Sequence, residues 1–291
     1  TPEEFRAQYA NFGFDEALYQ DIDSLSYVVE PVPGLWLLCL DSTDSGANML
    51  MGEPRVGGAF SLLTVNWTEA RLIEAATQGK AVMAVMHHGV VPHWDGQERF
   101  HPEYLVDHYD DIARMFAAYH VRCVFTGHYH SQDVAKQTYT HWGYLYDIET
   151  ASFVTYPSVY RIITVADNEA HIATRQLDGI PSRPEGFQAY AKQTGYEGVF
   201  GIAEETLIND YGVAEEDATT IAHQVARAFI THYGGDETPD GEPLIDREGI
   251  GLMGQIVLIL QRYVITGLWQ DTEGADHNLT IDFTSGEWRE D

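Results

Sequence analysis

The chain has 291 residues, with 16 Lys and Arg against 45 Asp and Glu, which gives a formal net charge of −29 at pH 7. So acidic a chain repels polyanions, which argues against binding of long DNA or RNA through a basic surface. Because 44% of its residues are hydrophobic and 12% aromatic, it can bury a sizeable core, which argues against intrinsic disorder.

The predicted elements of the first 126 residues alternate between helices and short strands. Hydrophobic residues three or four apart mark the helices, and short apolar runs mark the strands. We predict a helix at 2–12, strands at 25–30 and 35–40, a helix at 66–77, a strand at 80–86, a helix at 101–119 and a strand at 121–126. The last strand, helix and strand predict a parallel crossover, and hence an α/β sheet.

Strands continue to about residue 177, and the pattern then becomes helical. Strands are predicted at 145–148, 158–166 and 170–176, and the Gly- and Pro-containing stretch 179–186 is interpreted as a linker. Beyond it, one helix face carries Ile221, Val225, Phe229 and His232, and a second long apolar stripe runs over 250–264. We therefore predict an α/β domain over 1–180 and a mostly α-helical domain over 181–291.

Two further features are the cysteines and the most apolar stretch of the chain. Cys39 and Cys123 each lie in an apolar strand-like run and are interpreted as buried thiols, not as a disulfide. The most apolar stretch, 252–269, is interrupted by two glutamines and an arginine, so it predicts a buried helix and no membrane span.

Two short histidine clusters follow neighbouring predicted strands. Met86-His87-His88-Gly89 ends the strand at 80–86, and Gly127-His128-Tyr129-His130 ends the strand at 121–126. Ligands and metals collect where the strands of an α/β sheet end. Neutral imidazole nitrogens can ligate a divalent ion there at roughly 2.0–2.1 Å.

The residues alone leave alternatives open within these clusters. In an extended segment, His128 and His130 project on one side, whereas the adjacent His87 and His88 face opposite ways, so one of the latter pair should point to the site. Three converging imidazoles suffice for one open metal site. The alternative is a set of loop or interior histidines that are hydrogen-bonded to the backbone.

This arrangement resembles the second half of the calcineurin-like metallophosphoesterases. The resemblance lies in an apolar strand ending in His-His, a helix, and an apolar strand ending in Gly-His-x-His. Three segments that follow are similar to the bacterial phosphodiesterase branch of this family, whose members can carry a helical C-terminal domain. These segments are Ser131-Gln132-Asp133, 146–152 and 155–161. The resemblance covers roughly residues 1–177. It implies that residues 1–180 form a partial β-sandwich with flanking helices.

The resemblance implies a hydrolase in which two divalent ions (Mn, Fe or Zn) activate a hydroxide that attacks phosphorus. It places His87 and His128 on one metal and His130 on the other, with His88 the less favoured ligand. The implied substrate is a small phosphodiester, such as a cyclic nucleotide or a glycerophosphodiester. An extracytoplasmic location is compatible with the family, and the sequence leaves the oligomeric state open.

His88, Tyr129 and Asp133 are the candidates for contacting the substrate or supporting the metal ligands. Tyr129 could pack beside a substrate ring or simply cover the sheet. Asp133 could orient a histidine through its carboxylate. His93 lies in the loop after the first cluster, which we expect to be solvated; the alternative is that His93 supports a metal ligand or contacts the substrate. No residue is assigned as the catalytic acid or base.

Three motifs of the family's first half do not occur in the chain: Asp-x-His, Gly-Asp-x-x-Asp and Gly-Asn-His-Asp/Glu. Two cations held by imidazoles alone would repel each other, so a dinuclear site is not expected from this chain by itself. We expect the chain to begin partway through a longer enzyme, the alternative being a degenerate or truncated paralogue. In a different functional class, the chain would be a catalytically incomplete metal-binding or interaction module.

Overall fold

The computed structural model describes residues 1–44, 46, 48, 51–235, 237, 244–270 and 275–291. The chain forms two compact units, each assembled from several segments. Unit 1 comprises 1–92, 101–128 and 135–149, and unit 2 comprises 93–100, 129–134 and 150–291. The domain boundary predicted between residues 180 and 181 stays a prediction.

Unit 1 contains most of a mixed sheet, for which the described residues give seven strands in the order β1-β2-β3-β4-β5-β7-β6. The strands are β1 Tyr19–Gln20, β2 Tyr27–Val32, β3 Leu35–Cys39, β4 Ala81–Val85, β5 Cys123–Thr126, β6 Asp133–Tyr139 and β7 Gly143–Glu149. Strands β3, β4, β5 and β7 are parallel neighbours, whereas β2 pairs antiparallel with both β1 and β3. The predicted parallel crossover from β4 to β5 and the α/β class are therefore confirmed.

Of the helices predicted in unit 1, those at 2–12 and 101–119 are shorter in the structure, whereas the helix at 66–77 is longer. The described helical segments are α1 Pro2–Gln8, a π-helical turn Ala10–Phe14, α2 Leu62–Thr77, a 3-10 turn Pro102–Tyr104 and α4 Tyr109–Ala118. The helix predicted at 101–119 begins late because Leu105 and Val106 form bridges with Gly89 and Gly58. His108 then adopts a left-handed φ of 59° before α4 starts. Tertiary pairing thus overrides helical propensity here.

The core of unit 1 lies against its sheet. It includes Trp36, Leu38, Leu72, Phe116 and Leu145, all of them buried. Cys123 is buried, Cys39 is half-buried, and both are free thiols, which confirms that they form no disulfide.

Unit 2 combines helices with an antiparallel sheet in the order β11-β10-β9-β8. Its strands are β8 Val159–Ala166, β9 Glu169–Gln176, β10 Asn278–Asp282 and β11 Trp288–Glu290. Its helices are α3 Gln97–Phe100, α5 Phe187–Asn209, α6 Glu215–Gly234, α7 Leu252–Leu260 and α8 Arg262–Gly267. The stripe at 250–264 is therefore divided between α7 and α8. Of the described helices, none has the length and hydropathy that crossing a membrane requires.

Candidate functional site

The first histidine cluster and residues Gly127 and His128 of the second meet at the carboxyl ends of β4 and β5 in unit 1. The Met86 N–H donates to the Phe125 carbonyl at 3.0 Å, and the Gly127 N–H donates to the His87 carbonyl at 3.1 Å. The ring centroids of His87 and His128 lie 4.6 Å apart. Two imidazoles that share one metal at about 2.0–2.1 Å have centroids roughly 4.5–5 Å apart, so this pair fits a common ion.

Hydrogen bonding orients the His128 ring. Its Nε2 lies 3.0 Å from the Val56 carbonyl oxygen. Because a carbonyl only accepts, Nε2 carries the proton, and a neutral ring then offers Nδ1 to a metal. The backbone of His128 is left-handed (φ 79°), and the Tyr104 ring packs at 4.8 Å from the His128 ring.

His88 is placed differently from its neighbour. Its Nδ1 lies 2.8 Å from the Ser42 hydroxyl oxygen, and its Nε2 donates to the same Val56 carbonyl at 3.0 Å. Burial lowers the pKa of His88, although the Val56 carbonyl and two nearby carboxylates oppose that shift. With both ring nitrogens occupied, His88 supports the His128 ring, whose centroid is 4.5 Å away, in preference to ligating a metal.

A buried carboxylate holds the loop after the first cluster. Asp147, on β7, accepts hydrogen bonds from the backbone N–H groups of Val90 at 2.6 Å and Val91 at 3.1 Å. Its other oxygen accepts from the Thr126 hydroxyl at the end of β5. Asp147 therefore links the segment that follows His88 to the strand that precedes His128. In the sequence, Asp147 belongs to a segment that carries the family resemblance, but the sequence predicted no individual role for it.

A cleft of about 840 Å³ within unit 1 reaches His87. Most of its lining is apolar, with aromatic rings from the N-terminal segment and β2. The side chains that line it include Phe5, Tyr9, Phe12, Phe14, Tyr27, Val85 and Met86. Small-molecule sites in proteins are typically apolar concavities of about 300–1,000 Å³, so this cleft is large enough for a small ligand.

The remaining predicted residues belong to unit 2. His130 has a left-handed φ of 67°, and its Nδ1 lies 3.5 Å from the Thr155 hydroxyl oxygen. Burial lowers the pKa of His130, which favours the neutral ring that a metal requires. Because His130 lies in unit 2 whereas His87 and His128 lie in unit 1, its role as a metal ligand stays a prediction.

Tyr129 is 3% exposed and packs within unit 2. Four rings surround it at centroid distances of 5.6–6.5 Å, namely Trp94, Phe229, His232 and Tyr233. This burial favours a packing role for Tyr129 over contact with a substrate.

Asp133 lies in a buried polar cluster of unit 2. Its Oδ1 is 2.6 Å from His93 Nδ1, and its Oδ2 is 3.7 Å from His232 Nδ1. The same His232 nitrogen is 2.5 Å from Glu237 Oε1. The expectation that His93 lies in a solvated loop is wrong, since this side chain is wholly buried against Asp133.

The sequence did not identify His232 and Glu237 as functional candidates. His232 was counted among the apolar residues of a helix face, and Glu237 follows the end of that helix. One feature of the sequence could have identified His232: it is a histidine on the apolar face of a helix. A buried imidazole needs a polar partner, so this position predicts a buried polar contact.

No family model and no curated protein matches the sequence. Among solved structures, a dimetal phosphatase from Danio rerio is similar to the chain at a TM-score of 0.44 and 16% sequence identity. The alignment covers 59% of this chain and 65% of that chain. These values are too low to support a function, so a functional proposal must be argued from the residues of the site.

Proposed function

We propose that the chain carries part of the metal site of a phosphoester hydrolase of the metallophosphoesterase type. The observation that carries this proposal is the convergence of His87 and His128, with ring centroids 4.6 Å apart, at the ends of two adjacent parallel strands. His87 and His128 would hold a divalent ion (Mn, Fe or Zn), and His130 is the further predicted ligand. When bound, such an ion polarises a phosphoryl oxygen and lowers the pKa of a bound water.

The surrounding residues keep the two imidazoles in one geometry. The Val56 carbonyl fixes the proton of His128 on Nε2, and His88 packs beside that ring. Asp147 holds the loop that follows His88. Such partners orient metal ligands, and their mutation commonly lowers metal affinity or activity by about 10–100-fold.

The cleft beside His87 supports a small substrate with an apolar or aromatic group. Phe5, Tyr9 and Tyr27 line it, and such rings can pack against a nucleobase or an aryl ester. The net charge of −29 disfavours a long polyanion. We therefore favour small phosphodiesters such as cyclic nucleotides over glycerophosphodiesters, whose polar glycerol would leave the aromatic lining without a partner.

Hydrolysis of bis(p-nitrophenyl) phosphate with added Mn²⁺ tests the proposal, using the longest form of the protein that its gene encodes. We expect turnover, and we expect His87→Ala and His128→Ala to lower kcat/KM by at least about 100-fold, since they remove ligands and not merely supporting groups. His141→Ala, at an exposed turn, is the matched control and should keep full activity.

The absence of the three first-half motifs favours a second candidate, a catalytically incomplete metal-binding module. Metal analysis beside the assay separates the two functions. Turnover with two bound ions at the phosphoesterase site supports the enzyme, whereas metal bound at His87 and His128 without turnover supports the module. A folded protein in which neither substitution changes metal content would overturn both.

A further inference from the structure

We propose that Asp133, His232 and Glu237 form a second divalent-metal site, which lies within unit 2. Each residue offers one ligand atom, and these three atoms all lie within 4.8 Å of one another. All three residues are buried, with relative exposures of 2%, 1% and 7%. The site is independent of the proposed hydrolase function, because it uses neither His87, His128 nor His130.

The donor set suits a transition metal ion. One imidazole nitrogen and two carboxylate oxygens are ligands that Zn²⁺ and Mn²⁺ accept. Two ionised carboxylates buried side by side are costly unless a cation compensates them. A divalent ion would neutralise both while His232 stays neutral.

The hydrogen bonding of the Glu237 carboxylate also supports a metal site. Within the described part of the chain, Glu237 Oε2 is buried and has no hydrogen-bond partner. Native proteins rarely leave a buried carboxylate oxygen unpaired, and a bound ion can supply the missing partner.

The distance between His232 and Glu237 is that of a hydrogen bond in which the two side chains share a proton. To bind an ion, these two side chains must move apart. Ligand atoms around a tetrahedral ion at about 2.0–2.2 Å lie roughly 3.3–3.6 Å apart. Asp133 Oδ2 and His232 Nδ1 already have a similar separation of 3.7 Å. Glu237 Oε1, at 2.5 Å from the same nitrogen, must withdraw by about 1 Å as the metal replaces the shared proton.

His93 acts as a positioning residue for this site. Its Nδ1 lies 2.6 Å from Asp133 Oδ1, while its backbone N–H donates to Gln97 Oε1 at 2.7 Å. These bonds fix the carboxylate so that its second oxygen, Oδ2, is the one nearer to His232. A bound ion would then connect the 129–134 segment with the end of α6, and so stabilise unit 2.

The test uses the full chain carrying the triple substitution His87→Ala, His128→Ala and His130→Ala, which removes the predicted phosphoesterase ligands. After removal of metal with a chelator, Zn²⁺ is titrated by calorimetry against a competing chelator. We expect one equivalent to bind and the melting temperature to rise with it. No bound equivalent, with the protein folded by circular dichroism, would overturn the proposal.

Further substitutions in the triple variant locate the ion. His232→Gln and the near-isosteric Glu237→Gln should each weaken Zn²⁺ binding by more than the roughly 10–100-fold expected for a supporting residue. His223→Gln is the matched control, since it changes an exposed histidine on the same helix and should bind normally. Retention of the equivalent in both His232→Gln and Glu237→Gln would place the ion elsewhere and reject this site.

Cobalt spectroscopy separates positioning from folding at His93. In the triple variant, Co²⁺ should give the visible absorption of a four-coordinate ion. His93→Gln should shift that spectrum and weaken binding about 10–100-fold while the far-UV circular dichroism stays unchanged. An unaltered spectrum would remove His93 from the site. If His232→Gln does not fold, Glu237→Gln and Asp133→Asn decide the assignment by the same two measurements.

Discussion

The histidines of this chain differ in function because their surroundings differ. His87 is exposed at a strand end and faces His128, whereas His88, the next residue, has both ring nitrogens in hydrogen bonds. His93 is wholly buried against the Asp133 carboxylate. Residue type alone therefore indicates that metal binding is possible, whereas the position and the ring contacts of each histidine distinguish a candidate ligand from a supporting residue.

At Asp147, one carboxylate satisfies two buried backbone donors and a hydroxyl. Asp147→Ala leaves the N–H groups of Val90 and Val91 without that acceptor, so we expect the free energy of unfolding to fall by about 2–4 kcal/mol. Asp147→Asn keeps one acceptor oxygen and should lose about half as much. Urea unfolding measures both values.

The control for Asp147 is Asp111→Ala, which removes a carboxylate that is 72% exposed on α4. It should change the free energy of unfolding by less than about 1 kcal/mol. If Asp147→Ala were no more destabilising than this control, Asp147 would not hold the loop in the way that its contacts indicate.

Only part of the site could be predicted at the residue scale. His87 and His128 were found because strand-end positions follow from local apolar runs, which lie close in sequence to the histidines they place. Glu237 lies only five residues from its partner His232, but the cluster also needs Asp133. The contacts of Val56 with His128 and of Asp133 with His232 join residues far apart along the chain. No local pattern encodes those contacts, so sequence reasoning could not supply them.

At the scale of elements, strands with continuous apolar runs were predicted within a few residues of their observed bounds. β6 (Asp133–Tyr139) was missed because Lys136, Gln137 and Thr138 interrupt its apolar character. α5 (Phe187–Asn209) was missed as a defined helix because it has no consistent apolar face and contains three glycines. Both elements exist because of packing, which overrides weak local preference.

The N-terminus of α2 offers a test of local helix signals. Ser61 has extended dihedral angles, and its hydroxyl accepts from the Thr64 N–H at 3.1 Å, which caps the helix. Ser61→Ala removes this bond, and we expect the free energy of unfolding to fall by about 1 kcal/mol. Ser61→Thr retains a capping hydroxyl and serves as the control.

Urea denaturation of both Ser61 variants measures the effect of the cap. Equal stability of Ser61→Ala and Ser61→Thr, with both below the parent protein, would mean that the loss comes from packing around Ser61 and not from the cap. The helix predicted at 66–77 starts at Leu62 in the structure, so the cap also explains the difference in this boundary.

At the scale of the whole molecule, the sequence indicated a change of pattern near residue 180, and the domain boundary drawn there stays a prediction. Unit 2 takes in the short segments 93–100 and 129–134 in addition to the C-terminal part of the chain. Those segments carry His93, Tyr129 and Asp133, whose buried neighbours include residues of α6.

The charge of −29 is also a property of the whole molecule, and it makes stability depend on salt. Forty-five acidic groups on one compact chain repel one another, whereas 16 basic groups can offset only a minority of them. Salt screens this repulsion, since the Debye length falls from about 30 Å at 0.01 M to about 10 Å at 0.1 M. Exposed ion pairs such as Arg289 with Glu169 are weakened too, but pairs of this kind contribute little to stability.

We therefore expect the melting temperature, measured in metal-free buffer, to rise by roughly 2–4 °C between 0.01 and 0.3 M NaCl, which corresponds to about 1 kcal/mol for a chain of this size. Sodium sulfate at the same ionic strength is the control. Equal shifts in the two salts indicate screening of repulsion, whereas a larger shift in sulfate indicates exclusion of that anion from the protein surface. A melting temperature that stays constant or falls in NaCl would mean that local ion pairs, and not the net negative charge, dominate the electrostatics of the folded chain.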